Sequence, residues 1–215
     1  MSAQISYFEE LKRKAVHLSS LWMVAATLLC PAIFPEHGRL LPVAIFSICL
    51  AITLISEHDF ANGGKYLGRL YGKLFGKMLR KPPRPGQWIV SGGAPVLMAA
   101  ALVNLLFPAP IAGASLAVML TGDAAAALVG RKFGRHQLIN GKSLEGSLSF
   151  IVTGYIFLAA VGMICRQQPE FFYLGIAAVI LAAAVELFTE QLHIDDNFTI
   201  PVTAGAVLSI TFLLK

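Results

Sequence analysis

The sequence predicts an all-α protein: a polytopic helical bundle integral to a membrane, with about seven transmembrane helices and one basic amphipathic helix at the interface. Composition and run length carry this reading. Of the 215 residues, 56% are hydrophobic and only 13% are charged, against roughly 25% charged in soluble domains. Several apolar runs reach the roughly 17–25 residues that cross a bilayer. No soluble domain is left over, so residues 1–215 read as a single membrane domain.

In chain order, the candidate spans are Ala15–Phe34, Leu40–Ser56, Trp88–Phe107, Pro110–Gly130, Ser147–Cys165, Phe171–Thr189 and Phe198–Leu214. The second and last lie near the short limit. The first follows Lys12-Arg13-Lys14 but is long and lacks a small-residue cleavage site, so it reads as a permanent span. Proline-bearing turns separate the first pair (Pro35) and the third pair (Pro108, Pro110). Cys30, Cys49 and Cys165 sit in or beside apolar runs, and their spacing matches no zinc or redox motif.

Charge distribution sets the orientation. With the N-terminus cytoplasmic, the inner segments hold Lys12, Arg13 and Lys14, then seven cations between Lys65 and Arg84, then Arg131, Lys132, Arg135 and Lys142. Only Arg39, Arg166 and Lys215 fall outside. Such a bias obeys the positive-inside rule and puts the C-terminus outside. In a bacterium this would be the inner membrane. Asp123, the basic loop after it and Asp195-Asp196 then share the cytoplasmic side.

The segment Gly64–Leu79 repeats every four residues: Gly64, Gly68, Gly72 and Gly76, each followed by Lys65, Arg69, Lys73 or Lys77. Positions four apart share a helix face. A basic stripe beside a glycine stripe suits an interfacial helix on anionic headgroups. A sharper alternative is that it shapes a lipid-entry groove or adds positive field to a polyphosphate site. Pro82, Pro83 and Pro85 end it.

The chemistry-bearing stretch is Thr121–Gly146. Asp123 is the only charge in the apolar run Pro110–Gly130, and a carboxylate at the bilayer centre costs roughly 2.5–3.5 kcal/mol on insertion scales. Gly122 and Ala124–Ala127 leave room beside it for a ligand or another backbone. It reads either as a buried acid bonded to a neighbouring helix or as a hard oxygen ligand for Mg²⁺. Gly141-Lys142-Ser143 looks like the end of a P-loop, but position 136 is His136 where that pattern needs glycine. Lys142 and Arg131 remain phosphate-contact candidates, with Lys132 and Arg135 nearby. Asp195-Asp196-Asn197 reads as a helix cap or as a second carboxylate source for a metal facing Asp123. Glu186 could be base, ligand or salt-bridge partner. At the N-terminus, Arg13 or Lys14 could touch phosphate, with His17 near a reacting hydroxyl. Glu57-His58-Asp59 reads as a helix end.

These residues resemble the integral-membrane CTP-dependent lipid-alcohol kinases: dolichol and polyprenol kinases, phytol kinases and CTP-dependent diacylglycerol kinase. The resemblance rests on Glu10…Arg13-Lys14…His17, on Gly122-Asp123-Ala124-Ala125-Ala126…Gly130-Arg131-Lys132-Phe133-Gly134, on Gly141-Lys142-Ser143-Leu144-Glu145-Gly146, and on Glu186…Asp195-Asp196-Asn197…Pro201. The middle block is also similar to phosphatidate cytidylyltransferases, but Asp195-Asp196-Asn197 stands where those enzymes carry a different terminal segment.

The resemblance implies CTP as donor, a divalent cation such as Mg²⁺, and a membrane-dissolved alcohol as acceptor. It implies that Asp123, Asp196 and Asn197, with Asp195, hold the metal across the β- and γ-phosphates. Lys142, Arg131 and Lys132 would steady the triphosphate, and Gly122, Gly141, Ser143 and Glu145 belong to the same nucleotide-binding block. His17 or Glu186 would serve as base. The expected partners are CTP, the lipid alcohol and the bilayer, with no nucleic acid and the oligomeric state open. The rival readings are a cytidylyltransferase making CDP-diacylglycerol, and a transporter or scaffold with Asp123 and Glu186 lining a path.

Overall fold

The computed structural model describes residues 7–38, 40–79 and 82–212, and among them the architecture is helical throughout. Arg39, Arg80, Lys81 and Lys215 of the charge count, and the end of the last candidate span, lie outside the described residues. The helices are α1 (Tyr7–Ser19), α2 (Trp22–Ile33), α3 (Leu40–Ala61), α4 (Leu67–Phe75), α5 (Gly93–Leu106), α6 (Ala109–Phe133), α7 (Leu144–Ile164), α8 (Pro169–Leu187), the single turn α9 (Thr189–Leu192) and α10 (Asp196–Leu208). The sole pairing of extended backbone among them is the isolated bridge between Gln137 and Ser143.

Among the described residues, five segments are long and apolar enough to cross a membrane: Tyr7–Ile33, Leu40–Ala61, Ala109–Phe133, Leu144–Ile164 and Pro169–Leu187. The other two expected spans correspond to α5, with 14 residues, and α10, with 13. The outer helices turn large apolar side chains outward, among them Leu29, Ile33, Ile48, Ile52, Val152, Ile156, Ile176 and Ile180. That much exposed hydrocarbon would aggregate in water. It is the surface expected of a bundle dissolved in lipid.

Helix α6 is the axis. Every residue from Ile111 to Ala124 is buried, and α1, α2, α5, α7 and α10 all pack on it. Close approach requires small residues. A Cβ on Gly122 would stand 3.0 Å from the Phe150 ring, and one on Gly130 would stand 3.1 Å from Ser143 Oγ. Of the two occupants the sequence left open there, a ligand or another backbone, α7 takes the places beside Gly122 and Gly130.

Three boundaries differ from expectation, each for a local reason. Helix begins at Tyr7, well before Ala15, and is interrupted at Ser20 and Leu21, whose amides bond three residues back to His17 and Leu18. The basic helix is shorter than Gly64–Leu79 because Asp59 accepts from the Gly68 amide at 2.7 Å and holds the chain turned until Leu67. Helix α5 starts at Gly93 and not at Trp88, because the Val90 amide and the Ser91 hydroxyl are committed to Glu57. The glycine stripe is an internal contact: Gly68 lies against the backbone of Asp59 and Phe60, and Gly72 against the Phe60 ring. Lys65, Arg69, Lys73 and Lys77 all face outward, together with Tyr66, Leu67, Leu70 and Leu74.

Candidate functional site

Helix α1 lays one face along the end of α6. Glu10, Arg13, Lys14 and His17 follow the spacing i, i+3, i+4, i+7, which shares a side of a helix. Glu10 is 3% exposed and Lys14 is 5% exposed, values that lysine and glutamate reach almost only when paired. Lys14 Nζ lies 2.5 Å from Asp123 Oδ2, and His17 Nε2 lies 3.4 Å from the same oxygen. Glu10 pairs with Arg13 of its own helix and stands 3.9 Å from Arg131 Nη1 at the end of α6. The acid thus holds two guanidinium groups together, and no role for it was legible beyond its place in the motif.

Asp123 faces Glu186, at the end of α8, and Asp196, at the start of α10. One carboxylate oxygen from each lies within 4.8 Å of the others. Asp123 and Glu186 are 8% and 5% exposed. Three like charges this close repel strongly unless cations intervene. Lys14 answers Asp123, and Lys142 Nζ lies 2.5 Å from Glu186 Oε1 while also donating to the Glu186 carbonyl. Two lysines face three carboxylates, and the oxygens those acids offer are hard. That donor set suits Mg²⁺ or Mn²⁺.

The loop from Gly134 to Ser143 is built to place Lys142. Leu138 donates to the Lys142 carbonyl at 2.7 Å, and Leu144 donates to the His136 carbonyl at 2.9 Å. Asn140 and Gly141 adopt φ of 56° and 68°, a left-handed turn that asparagine and glycine tolerate best. Asn140 also donates to the Leu187 carbonyl and to Gln191, both at 2.8 Å. The loop is thereby tied to the end of α8, which carries Glu186.

The remaining expected residues fall into two groups. Asp195 caps α10: its Oδ1 accepts from the Asn197 amide at 3.0 Å and from Asn197 Nδ2 at 2.8 Å. Glu186 takes the third place in the acid cluster beside Asp123 and Asp196. Asn197 Oδ1 is buried with no hydrogen-bond donor among the described residues, as is His17 Nε2. Ser143 caps α7 through the Gly146 amide at 3.2 Å. Glu145 holds His136, 2.8 Å from its Nδ1. Lys132 is exposed and lies over the Phe133 ring. Arg135 is exposed as well.

A second buried acid, Glu57, is 0% exposed. Its Oε1 accepts from the Tyr71 hydroxyl at 2.9 Å and the Ser91 hydroxyl at 2.5 Å, and its Oε2 from the Val90 amide at 2.7 Å. Burial pushes the Tyr71 hydroxyl above its ordinary range, and the Glu57 carboxylate adds to that. Tyr71 therefore remains a donor. The sequence signal was an ionisable triplet, Glu57-His58-Asp59, at the end of an apolar run.

No family model matches the chain, and no solved structure matches it. The chain is 32% identical over 194 residues to the uncharacterized protein RP860 of Rickettsia prowazekii (strain Madrid E), covering 90% of each. It is 34% identical over 113 residues to the probable phytol kinase 2, chloroplastic, of Oryza sativa subsp. japonica, covering 48% of this chain and 36% of that one. It is 31% identical over 118 residues to the probable phytol kinase 1, chloroplastic, of Glycine max, covering 48% of this chain and 37% of that one. The chain thus spans little more than a third of the length of these two phytol kinases. From near full-length identity, it belongs to the family of the R. prowazekii protein RP860, and about half of it is similar in sequence to phytol kinases.

Proposed function

We propose that the chain is a membrane-embedded kinase of lipid alcohols, transferring the γ-phosphoryl group of CTP to the hydroxyl of a phytol-, polyprenol- or diacylglycerol-type acceptor. The observation that carries this reading is the cluster of Asp123, Glu186 and Asp196, with Lys14 paired to Asp123 and Lys142 paired to Glu186. The similarity to phytol kinases over half the chain supports the reaction class.

Phosphoryl transfer requires little of a protein beyond positioning and neutralising charge. Asp123, Glu186 and Asp196 would hold a divalent cation, which would supply positive charge to screen the donor phosphates. Lys142 stays on the Glu186 side of the cluster and Lys14 on the Asp123 side, so donor phosphates meet a cationic group from either direction. Arg13 and Arg131, held as a pair by Glu10, extend that positive rim. His17 Nε2 is buried against Asp123 and can take the proton of an acceptor hydroxyl. The apolar outer helices let the acceptor's hydrocarbon remain in lipid while its hydroxyl reaches the polar end of the bundle. We place that end, and the N-terminus, on the cytoplasmic side. Helix α4 and its flanking turns rest there on anionic headgroups, with Lys65, Arg69, Lys73 and Lys77 beside exposed tyrosine and leucines.

The test is incubation of purified protein with CTP labelled at the γ-phosphate and with phytol, polyprenols or diacylglycerol. Labelled lipid monophosphate and CDP are expected. No label in any acceptor would overturn the proposal. Transfer of α-label into lipid from phosphatidate, with release of pyrophosphate, would replace it with the cytidylyltransferase reading.

A further inference from the structure

The loop from Gly86 to Ser91 is stapled to the end of α3 at three points. Asn62 Oδ1 accepts from the Gly86 amide at 3.0 Å, the His58 and Trp88 rings stack with centroids 4.0 Å apart, and Glu57 takes Val90 and Ser91. Ser91 Oγ also accepts from the Gly93 amide at 3.0 Å, at the first turn of α5. Between them stands Gly92, and a Cβ on it would lie 3.6 Å from Asn197 Nδ2. Asn197 follows Asp196, and its amide nitrogen and side chain are both fastened to Asp195. Further along, Phe107 at the end of α5 lies against Gly205 of α10, so the two helices run side by side in the same direction.

We propose that Glu57 is a positioning residue for the α10 arm of the acid cluster, acting through Ser91 and Gly92 on Asn197 and so on Asp196. Glu57 touches none of the reacting groups. It is suited to the task because both its oxygens are fully engaged by neutral donors from α4 and from the loop before α5. Such a carboxylate fixes three elements at one point, and leaving any of the donors buried and unpaired is unfavourable. The α5 terminus is thereby held as a wall against which Asn197 seats. The consequence for cation binding rests on the function proposed above, while the consequence for the position of α10 does not.

The test uses the full chain in nanodiscs, with Ser91→Ala as the principal variant, Ser91→Thr as the variant that restores a hydroxyl, and Tyr71→Phe as an independent lesion of the same joint. Glu57→Ala is avoided because it strips three donors at once. Two readouts are taken: amide hydrogen exchange in residues 195–199, and Mn²⁺ affinity by electron paramagnetic resonance. Ser91→Ala and Tyr71→Phe should each accelerate exchange in residues 195–199 about fivefold and weaken Mn²⁺ binding by a similar factor, the equivalent of one hydrogen bond. Ser91→Thr should return both to the wild-type values. Faster exchange confined to residues 86–93, with residues 195–199 unchanged, would overturn the proposal. If wild-type protein binds no Mn²⁺, the cation reading fails, and the exchange data alone decide the role of Glu57.

Discussion

Glu57 and Asp123 are both carboxylates buried on long apolar helices, Glu57 near the close of α3 and Asp123 in the second half of α6, and they are treated in opposite ways. Glu57 is surrounded by neutral donors: one phenol, one hydroxyl and one backbone amide. Asp123 is met by Lys14 and His17, yet is crowded by Glu186 and Asp196. A carboxylate whose two oxygens accept from three neutral donors on separate elements keeps its charge but is fixed in place by them, and acts as a joint. One that shares its surroundings with two other acids remains short of positive charge even with its lysine in place. On the function proposed above, the difference separates an acid that builds the fold from acids that would hold a cation, and burial alone would not have told them apart.

The comparison can be broken at either end, and the largest effect belongs to the crowded acid. Asp123→Asn should lower turnover roughly a thousandfold, in keeping with the several kcal/mol a metal contributes to charge stabilisation, while the protein still inserts and folds, with a lowered thermal midpoint because buried Lys14 loses its ion-pair partner. Near-normal turnover would remove the carboxylate from the reaction. Glu57→Ala should behave in reverse, because three donors lose their acceptor at roughly 1–3 kcal/mol for each buried group left unsatisfied. Its thermal midpoint should fall steeply, and activity should fall only as far as folded protein is lost or α10 shifts.

Lys142→Ala is expected to raise the KM for CTP about tenfold, the equivalent of one charge-assisted hydrogen bond, with a smaller change in kcat. An unchanged KM would reduce Lys142 to a partner of Glu186. The smallest effect is on alkaline stability. The Tyr71 proton is held more tightly in the folded state, so stability from this group is fully present below the unfolded tyrosine value of about 10 and declines as pH rises through and above it. Tyr71→Phe should remove that part of the alkaline decline, seen as a flatter thermal midpoint between about pH 9 and 11.

The sequence was most readable where one residue type decides the outcome. Asp123, alone among charges in an apolar run, marked the site, and the positive loops marked the side on which its partners lie. The pairing of Asp123 with Asp196 was legible from motif order, whereas Glu186 could not be chosen as ligand, base or ion-pair partner from spacing alone. Its place follows from α8 ending where the Lys142 loop is tied by Asn140. Glu57 was legible only as a helix end, because its donors come from residues 14, 33 and 34 positions away, and no local pattern announces so distant a set. The same holds for Gly122, whose small side invited a ligand by composition and is filled by Phe150 from α7.

The central claim is that Asp123, Glu186 and Asp196 share one divalent cation, and equilibrium Mn²⁺ titration of the purified protein tests it without any substrate. One saturable site is expected in the wild type, weakened about tenfold or more in each of Asp123→Asn, Glu186→Gln and Asp196→Asn, as loss of a charged oxygen ligand implies. A wild-type protein that binds no Mn²⁺, or three variants that bind it as the wild type does, would contradict the account.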